Sequence, residues 1–234
     1  WPKEDNFICL IFDKTIFHTE GGCQPTDLCT LENNEKNFNL KVEFVSYCRE
    51  RDIALHKVSK ESFENCKISL GEIFHQKINS ENRLLYARLH SGGHLLDISV
   101  SKLNLQLTPG KGYHFPDNPY VEYNGKLDKN QIDSLVEQMN KITNDIITES
   151  KAEDSAIAKM WEYEEGKKQF KDLPNYLPEG KPFRWVQLQQ NDKGCPCGGT
   201  HVKHLKDIGA MKITKISNKK NVVRVSYNIL KNLV

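Results

Sequence analysis

No stretch of the 234 residues approaches the roughly 20 consecutive apolar positions that a membrane helix requires, so no membrane partner is expected. The opening Trp-Pro-Lys-Glu-Asp lacks the basic-then-apolar layout of a secretory signal, and the expected compartment is the cytoplasm. The cysteines do not form an even, closely spaced set. Seven of them, Cys9, Cys23, Cys29, Cys48, Cys66, Cys195 and Cys197, are spread along the chain, which excludes a disulfide framework and leaves thiols free to bind metal. Internal repeats are absent, and so is a large net charge: 33 basic residues face 31 acidic ones. That balance hides an asymmetry. Residues 1–150 hold 17 Lys and Arg against 22 Asp and Glu, whereas residues 151–234 hold 16 against 9, a local basic excess that suits either a solvated lysine-rich surface or a polyanion partner.

With 38% hydrophobic and 27% charged residues the chain can bury a real core. Its first 80 residues are short apolar runs, Phe7 to Phe12, Thr15 to Phe17, Leu40 to Tyr47, Ile53 to Val58 and Ile68 to Phe74. Turn signals cut them, Glu20-Gly21-Gly22-Cys23-Gln24-Pro25 among them, and the spacing predicts a small β-rich domain over 1–80. The second domain, 81–234, opens with a helix from Asn82 to about Leu105 capped by Ser80. Gly110, Gly112, Pro116 and Pro119 exclude a helix over Thr108 to Tyr123, where Tyr120 to Tyr123 reads as a strand. A second helix starts at Asp128, with Gln131 completing a partial capping box and Ile132, Leu135, Val136, Met139, Ile142 and Ile146 forming an apolar stripe. Ala156 to Glu165 reads as helical, Arg184 to Leu188 as a strand, and Ala210 to Ile216 with Val222 to Tyr227 as a closing hairpin. The fold class is therefore α+β.

Two clusters carry chemistry. His90-Ser91-Gly92-Gly93-His94 places two imidazoles one helical turn apart on one face. Cys197-Gly198-Gly199-Thr200-His201 adds a thiolate and a third imidazole from a glycine-rich turn able to fold back on the same point. The four side chains together form a donor set suited to Zn2+. Gly92 and Gly93 each cost about 0.5–1 kcal/mol relative to alanine inside a helix, and close approach of a substrate is one reason to keep them. Cys195, two residues before Cys197, is a further thiol that competes for the metal through Cys195-Pro196-Cys197.

His90-Ser91-Gly92-Gly93-His94-Leu95-Leu96, followed about a hundred residues later by Cys197-Gly198-Gly199-Thr200-His201-Val202, resembles the signature of the alanyl- and threonyl-tRNA synthetase editing domains. Thr15-Ile16-Phe17-His18-Thr19-Glu20-Gly21-Gly22-Cys23-Gln24-Pro25-Thr26-Asp27 is similar to the glycine-rich segment that precedes that domain in the ligases and in the longer freestanding AlaX-type proteins. The resemblance spans the chain and departs from the usual pattern at Gly92, where alanine is usual, and at Cys23, where a third glycine is usual. It implies a β-barrel-like N-terminal domain, a two-layer α/β editing domain and hydrolysis of mischarged alanine tRNA, chiefly the serine ester, with glycine as a further substrate. Zinc is then the cofactor, tRNA the partner, and a monomer the favoured state.

Under that implication Gln24 is the first choice for contacting the substrate serine hydroxyl and Thr200 the second, although Gln24 fits a turn residue bonding its own backbone equally well. Gly21, Gly22, Gly92 and Gly93 would line the approach of the substrate. Lys203, Lys206, Lys212 and Arg224, with Lys219 and Lys220, would meet RNA phosphates. No carboxylate is marked as a general base, and Asp97 reads as an ordinary helix residue. Two other readings fit the same motifs: a noncatalytic RNA-binding module that zinc stabilises, and a zinc hydrolase of small esters or amides.

Overall fold

The computed structural model describes residues 6–33, 35–151, 155–170, 173–190 and 192–230. The chain divides into two units, one reaching to Leu85 and one from Tyr86 onward.

In the first unit strands β1 (Phe7–Leu10), β2 (Cys29–Asn33), β3 (Phe38–Cys48), β4 (Ile53–Ser59) and β5 (His75–Ile78) form one antiparallel sheet in the order β1-β4-β3-β2-β5. A short helix, α1 (Lys60–Cys66), follows β4. Period-two alternation turns Cys29, Leu31, Leu40, Val42 and Val58 into the core. A bulge between Val42 and Phe44 shifts the phase of β3, which is why Val45 is buried three residues after Val42. β1 and β5 are the two edges and do not pair with each other, so among the described residues the sheet is open rather than the expected closed barrel. Two expected strands are also missing. The backbone of the Thr15 to Phe17 run is held by a side chain: Ile16 N donates to Gln76 Oε1 at 2.8 Å and Gln76 Nε2 donates to Lys14 O at 2.9 Å. The Ile68 to Phe74 run precedes β5 as irregular chain with Ile73 exposed.

The second unit is built on helix α2 (Ser80–Lys102), which begins in the first. Its cap is Asn79 and not Ser80, because Asn79 Oδ1 accepts from Asn82 N at 3.0 Å while Asn79 O accepts from Arg83 N. Strands β6 (Thr108–Tyr113), β7 (Tyr120–Asn124), β11 (Met211–Lys219) and β12 (Val222–Ile229) form an antiparallel sheet ordered β11-β12-β7-β6, which includes the closing hairpin. Helix α3 (Ile132–Glu149) lies along the β11 edge. Asn140 and Asn144 each use both ends of their amides there: Asn140 on Ile213 N and O, Asn144 on Met211 N and O, at 2.8–3.1 Å. These side chains satisfy an edge that a further strand would otherwise pair with. Asp128 caps a 3₁₀ turn (Lys129–Gln131) ahead of α3, and Gln131 makes no capping bond.

A second, three-stranded sheet joins β8 (Ile157–Trp161), β9 (Phe183–Gln187) and the two-residue β10 (Cys195–Pro196) in the order β10-β9-β8. The expected helix at Ala156 to Glu165 is thus β8 followed by helix α4 (Tyr163–Gln169). Pairing of Ile157 with Gln187 through Trp161 with Phe183 overrides the local helical pattern. Among the described residues no helix is long and apolar enough to cross a membrane.

Candidate metal centre

Helix α2 carries His90 and His94 at one-turn spacing, and the chain after β10 carries Cys197 and His201. Four hydrogen bonds place the second segment, one of them to the helix. The buried Ser91 hydroxyl accepts from Val202 N at 3.0 Å, so the residue beside His90 grips the residue beside His201. Arg184 on β9 donates to Cys197 O at 2.9 Å and Gly199 O at 2.8 Å, and its own carbonyl accepts from Cys197 N. The bend between the cysteine and the histidine is therefore held from both ends.

The result is a four-donor cluster, with one ligand atom each from His90, His94, Cys197 and His201 all within 4.8 Å of one another. His90 Nε2 lies 3.2 Å from Cys197 Sγ, His201 Nε2 3.8 Å from the same sulfur, and His201 Nε2 3.3 Å from His94 Nε2. Zn–N bonds of about 2.0–2.1 Å and a Zn–S bond of about 2.3 Å put the corners of a tetrahedral site about 3.3–3.6 Å apart. These three separations bracket that range, and the remaining ones stay within 4.8 Å. His201 Nδ1 is 3.1 Å from Gly199 O, to which it donates, leaving Nε2 as the lone pair turned inward. Gly199 N donates to Cys197 Sγ at 3.4 Å, a contact that favours thiolate. Burial pushes the His94 imidazole down to about 4, with the Arg184 charge adding, and holds His201 well below its ordinary value. Both rings are neutral at neutral pH, as ligands must be. The donor set therefore fits zinc by type and by spacing. Cys195 lies outside it: its sulfur sits 3.5 Å from His94 Nδ1, on the side of that ring turned away from the cluster.

Gly92 and Gly93 are buried, and protein fills the space beside them. A Cβ on Gly92 would meet Ile229, Met211 and Tyr227 at 3.1–3.3 Å, and one on Gly93 would lie 2.2 Å from His114. Gly198 differs, with nothing within 4 Å of such an atom, and Cys197 and His201 are partly exposed, so the cluster reaches the surface on this side. Thr200 is partly exposed between the two ligands.

No spacing in the sequence ties His114 to the four ligands, so it is not expected beside them. Its ring stacks on His90 with centroids 4.4 Å apart, and its Nδ1 donates to Tyr227 Oη at 2.8 Å, whose own proton goes to Leu89 O. Burial lowers its pKa to about 3, so it too is neutral. Asp97 is not the ordinary helix residue expected. Burial raises its carboxyl to about 7 although Tyr123 donates to it at 2.8 Å, and the charge of Asp192 adds to the rise.

The remaining predicted residues separate by unit. Gly21 and Gln24 close a tight turn in the first unit through Gly21 N to Gln24 O and Gln24 N to Gly21 O, with Gly22 at φ 60° and Cys23 at φ 64°. Positive φ at both central positions is a type I′ turn, so Cys23 adopts a conformation that the usual glycine reaches without strain. The Gln24 side chain is fully buried. In the second unit Lys203, Lys206, Lys212, Lys219 and Lys220 are exposed, whereas Arg224 is engaged by Glu122 at 2.6 Å and lies over the Tyr120 ring.

Residues 188–226, which contain the Cys197 to His201 motif, match the family described as the threonyl and alanyl tRNA synthetase second additional domain. The chain is 28% identical over 227 residues to the alanyl-tRNA editing protein AlaX-L of Pyrococcus horikoshii, covering 96% of this chain and 52% of that protein. Against the alanyl-tRNA editing protein AlaX-M of Methanosarcina barkeri the identity is 27% over 229 residues, 92% of this chain and 85% of that one. An alanine–tRNA ligase of Methanococcus maripaludis is 25% identical over 224 residues, 94% of this chain and 23% of the ligase. The chain thus spans about half the AlaX-L protein, under a quarter of the ligase and most of AlaX-M. Over nearly its whole length, then, the chain is similar to the AlaX-type alanyl-tRNA editing proteins, the resemblance that its two motifs carry.

Proposed function

We propose that this protein is a zinc-dependent hydrolase that deacylates mischarged alanine tRNA, releasing serine and, as a second substrate, glycine. The observation that carries this reading is the convergence of three imidazoles and one thiolate at a cluster that opens to solvent beside Gly198. His90, His94, Cys197 and His201 would hold the ion. A zinc ion held by these four side chains would supply positive charge that helps to position the substrate.

An aminoacyl ester is already activated, so the remaining tasks are to orient its carbonyl, to admit one water and to exclude correctly charged alanine. A polar group that engages the serine hydroxyl makes a contact that alanine cannot offer, which gives discrimination. Thr200, partly exposed between two ligands, is the group proposed to meet the substrate side chain. Lys203 and Lys206, two and five residues beyond His201, lie exposed where phosphates of the acceptor end would pass. In the absence of an assigned base, the terminal ribose hydroxyl of the substrate assists the water.

The test is a deacylation assay on alanine tRNA charged with serine, glycine or alanine, with and without chelator. Serine release that stops on chelation, with the alanine ester spared, is the expected outcome. Equal attack on all three esters, or turnover indifferent to chelation, defeats the proposal. A substrate ending in 2′-deoxyadenosine should turn over more slowly in the same assay. Binding of tRNA without turnover would favour the noncatalytic module.

A further inference from the structure

His94 has Cys195 Sγ beside its Nδ1 and the other ligand atoms of the cluster on the side of its Nε2. Its Nε2 faces His201 Nε2 inside the cluster at 3.3 Å, so Nε2 is the atom offered to the metal. A ring that ligates through Nε2 carries its proton on Nδ1 and needs an acceptor there, because that hydrogen bond sets both the tautomer and the angle of the ring. The neighbouring ligand His201 has a backbone acceptor, Gly199 O, for this purpose. His94 sits inside a helix whose carbonyls are committed to the helical ladder, and the atom opposite its Nδ1 is Cys195 Sγ at 3.5 Å.

The place of that sulfur is built into the fold. Cys195 opens the two-residue strand β10 and pairs with Val186, while Pro196 pairs with Trp185. The pairing anchors the chain immediately before the ligand loop, and Arg184 holds the loop itself. The Cys-Pro-Cys sequence thus serves the centre twice. Cys195 meets the outer nitrogen of one histidine while Cys197, past the end of β10, meets the inner nitrogens of two others.

We propose that Cys195 is a positioning residue for the metal centre: its sulfur accepts the Nδ1 proton of His94 and so holds Nε2 of that ring on the ion, without itself being a ligand. This rests on the zinc reading above. The step is a hydrogen bond, and no covalent or redox change accompanies it.

The test uses full-length protein, stripped of metal and titrated with Zn2+ against a chromophoric chelator, and separately loaded with Co2+ for its thiolate-to-metal charge-transfer band. Cys195→Ala should weaken zinc binding by about 10–100-fold, the usual cost of losing such a partner, and Cys195→Ser, which keeps an acceptor, should recover most of it. Both variants should retain the charge-transfer intensity of the parent, since the single bound thiolate is Cys197, and Cys197→Ser should abolish the band. Unchanged affinity in Cys195→Ala overturns the proposal, as does a band halved by either Cys195 substitution, which would make Cys195 a ligand. Should Cys195→Ala fail to fold by circular dichroism, the serine variant decides through its band and affinity. A parent protein that takes up neither metal removes the zinc reading itself, an outcome distinct from the failure of Cys195 alone.

Discussion

His56 is fully buried in the first unit, its Nδ1 donating to Leu10 O at 3.1 Å and its Nε2 2.9 Å from the Thr15 hydroxyl, with Phe12 and Phe17 set edge-on to the ring. Thr15 Oγ1 in turn accepts from Phe17 N. Every polar atom of this chain of contacts is satisfied by a neutral imidazole. Burial holds its pKa below the ordinary 6.5, and the bond to Leu10 offsets part of the shift. In the window between the lowered folded value and the unfolded value near 6.5, the unfolded chain binds a proton that the folded one refuses. Stability contributed here is therefore complete above about pH 6.5 and declines as pH falls below it. The urea midpoint of the first unit should drop between about pH 7.5 and pH 5.5, and His56→Gln should shrink that drop; an equal drop in the variant assigns the dependence to other groups.

Two adjacent glycines on α2 make opposite predictions at the scale of the element. Alanine in place of either gains about 0.8–1 kcal/mol of helix propensity. At Gly92 the new methyl meets only side-chain atoms of Ile229, Met211 and Tyr227 at 3.1–3.3 Å, where a shift of a few tenths of an ångström suffices. Gly92→Ala should be neutral or stabilising, in keeping with the alanine usual at this place. At Gly93 the methyl would lie 2.2 Å from His114, a ring clamped by Tyr227 and stacked on His90. Overpacking of this kind costs about 1–3 kcal/mol, which outweighs the propensity gain. Gly93→Ala should lower the thermal midpoint and weaken zinc binding together. A variant as stable as the parent would mean that His114 moves freely.

For the whole molecule, metal is expected to matter to one unit only. The ligands lie about a hundred residues apart, all in the second unit, so an ion that binds the folded arrangement stabilises that unit by mass action, about 2.7 kcal/mol at a hundredfold excess over Kd. Two of the three tryptophans, Trp161 and Trp185, belong to it. Chelation should lower the transition seen by tryptophan fluorescence by roughly 5–10 °C and spare the part of the far-ultraviolet signal that comes from the first sheet. Coincident shifts in both signals would show the units unfolding as one.

Local periodicity and residue chemistry suffice for the long helix with its two histidines, the closing hairpin and the residue types of the donor set. Gln76 replacing a strand partner at Ile16, β8 in place of a helix, and the open edges of the first sheet depended on partners distant in the chain. Only the tertiary structure decided which sulfur faces the cluster, since Cys195 and Cys197 are chemically alike and differ in the side of His94 they approach. It also revealed His114 and Asp97, whose surroundings come from elements far along the chain. Donor type is written in the chain, whereas direction and burial arise only when separate segments pack.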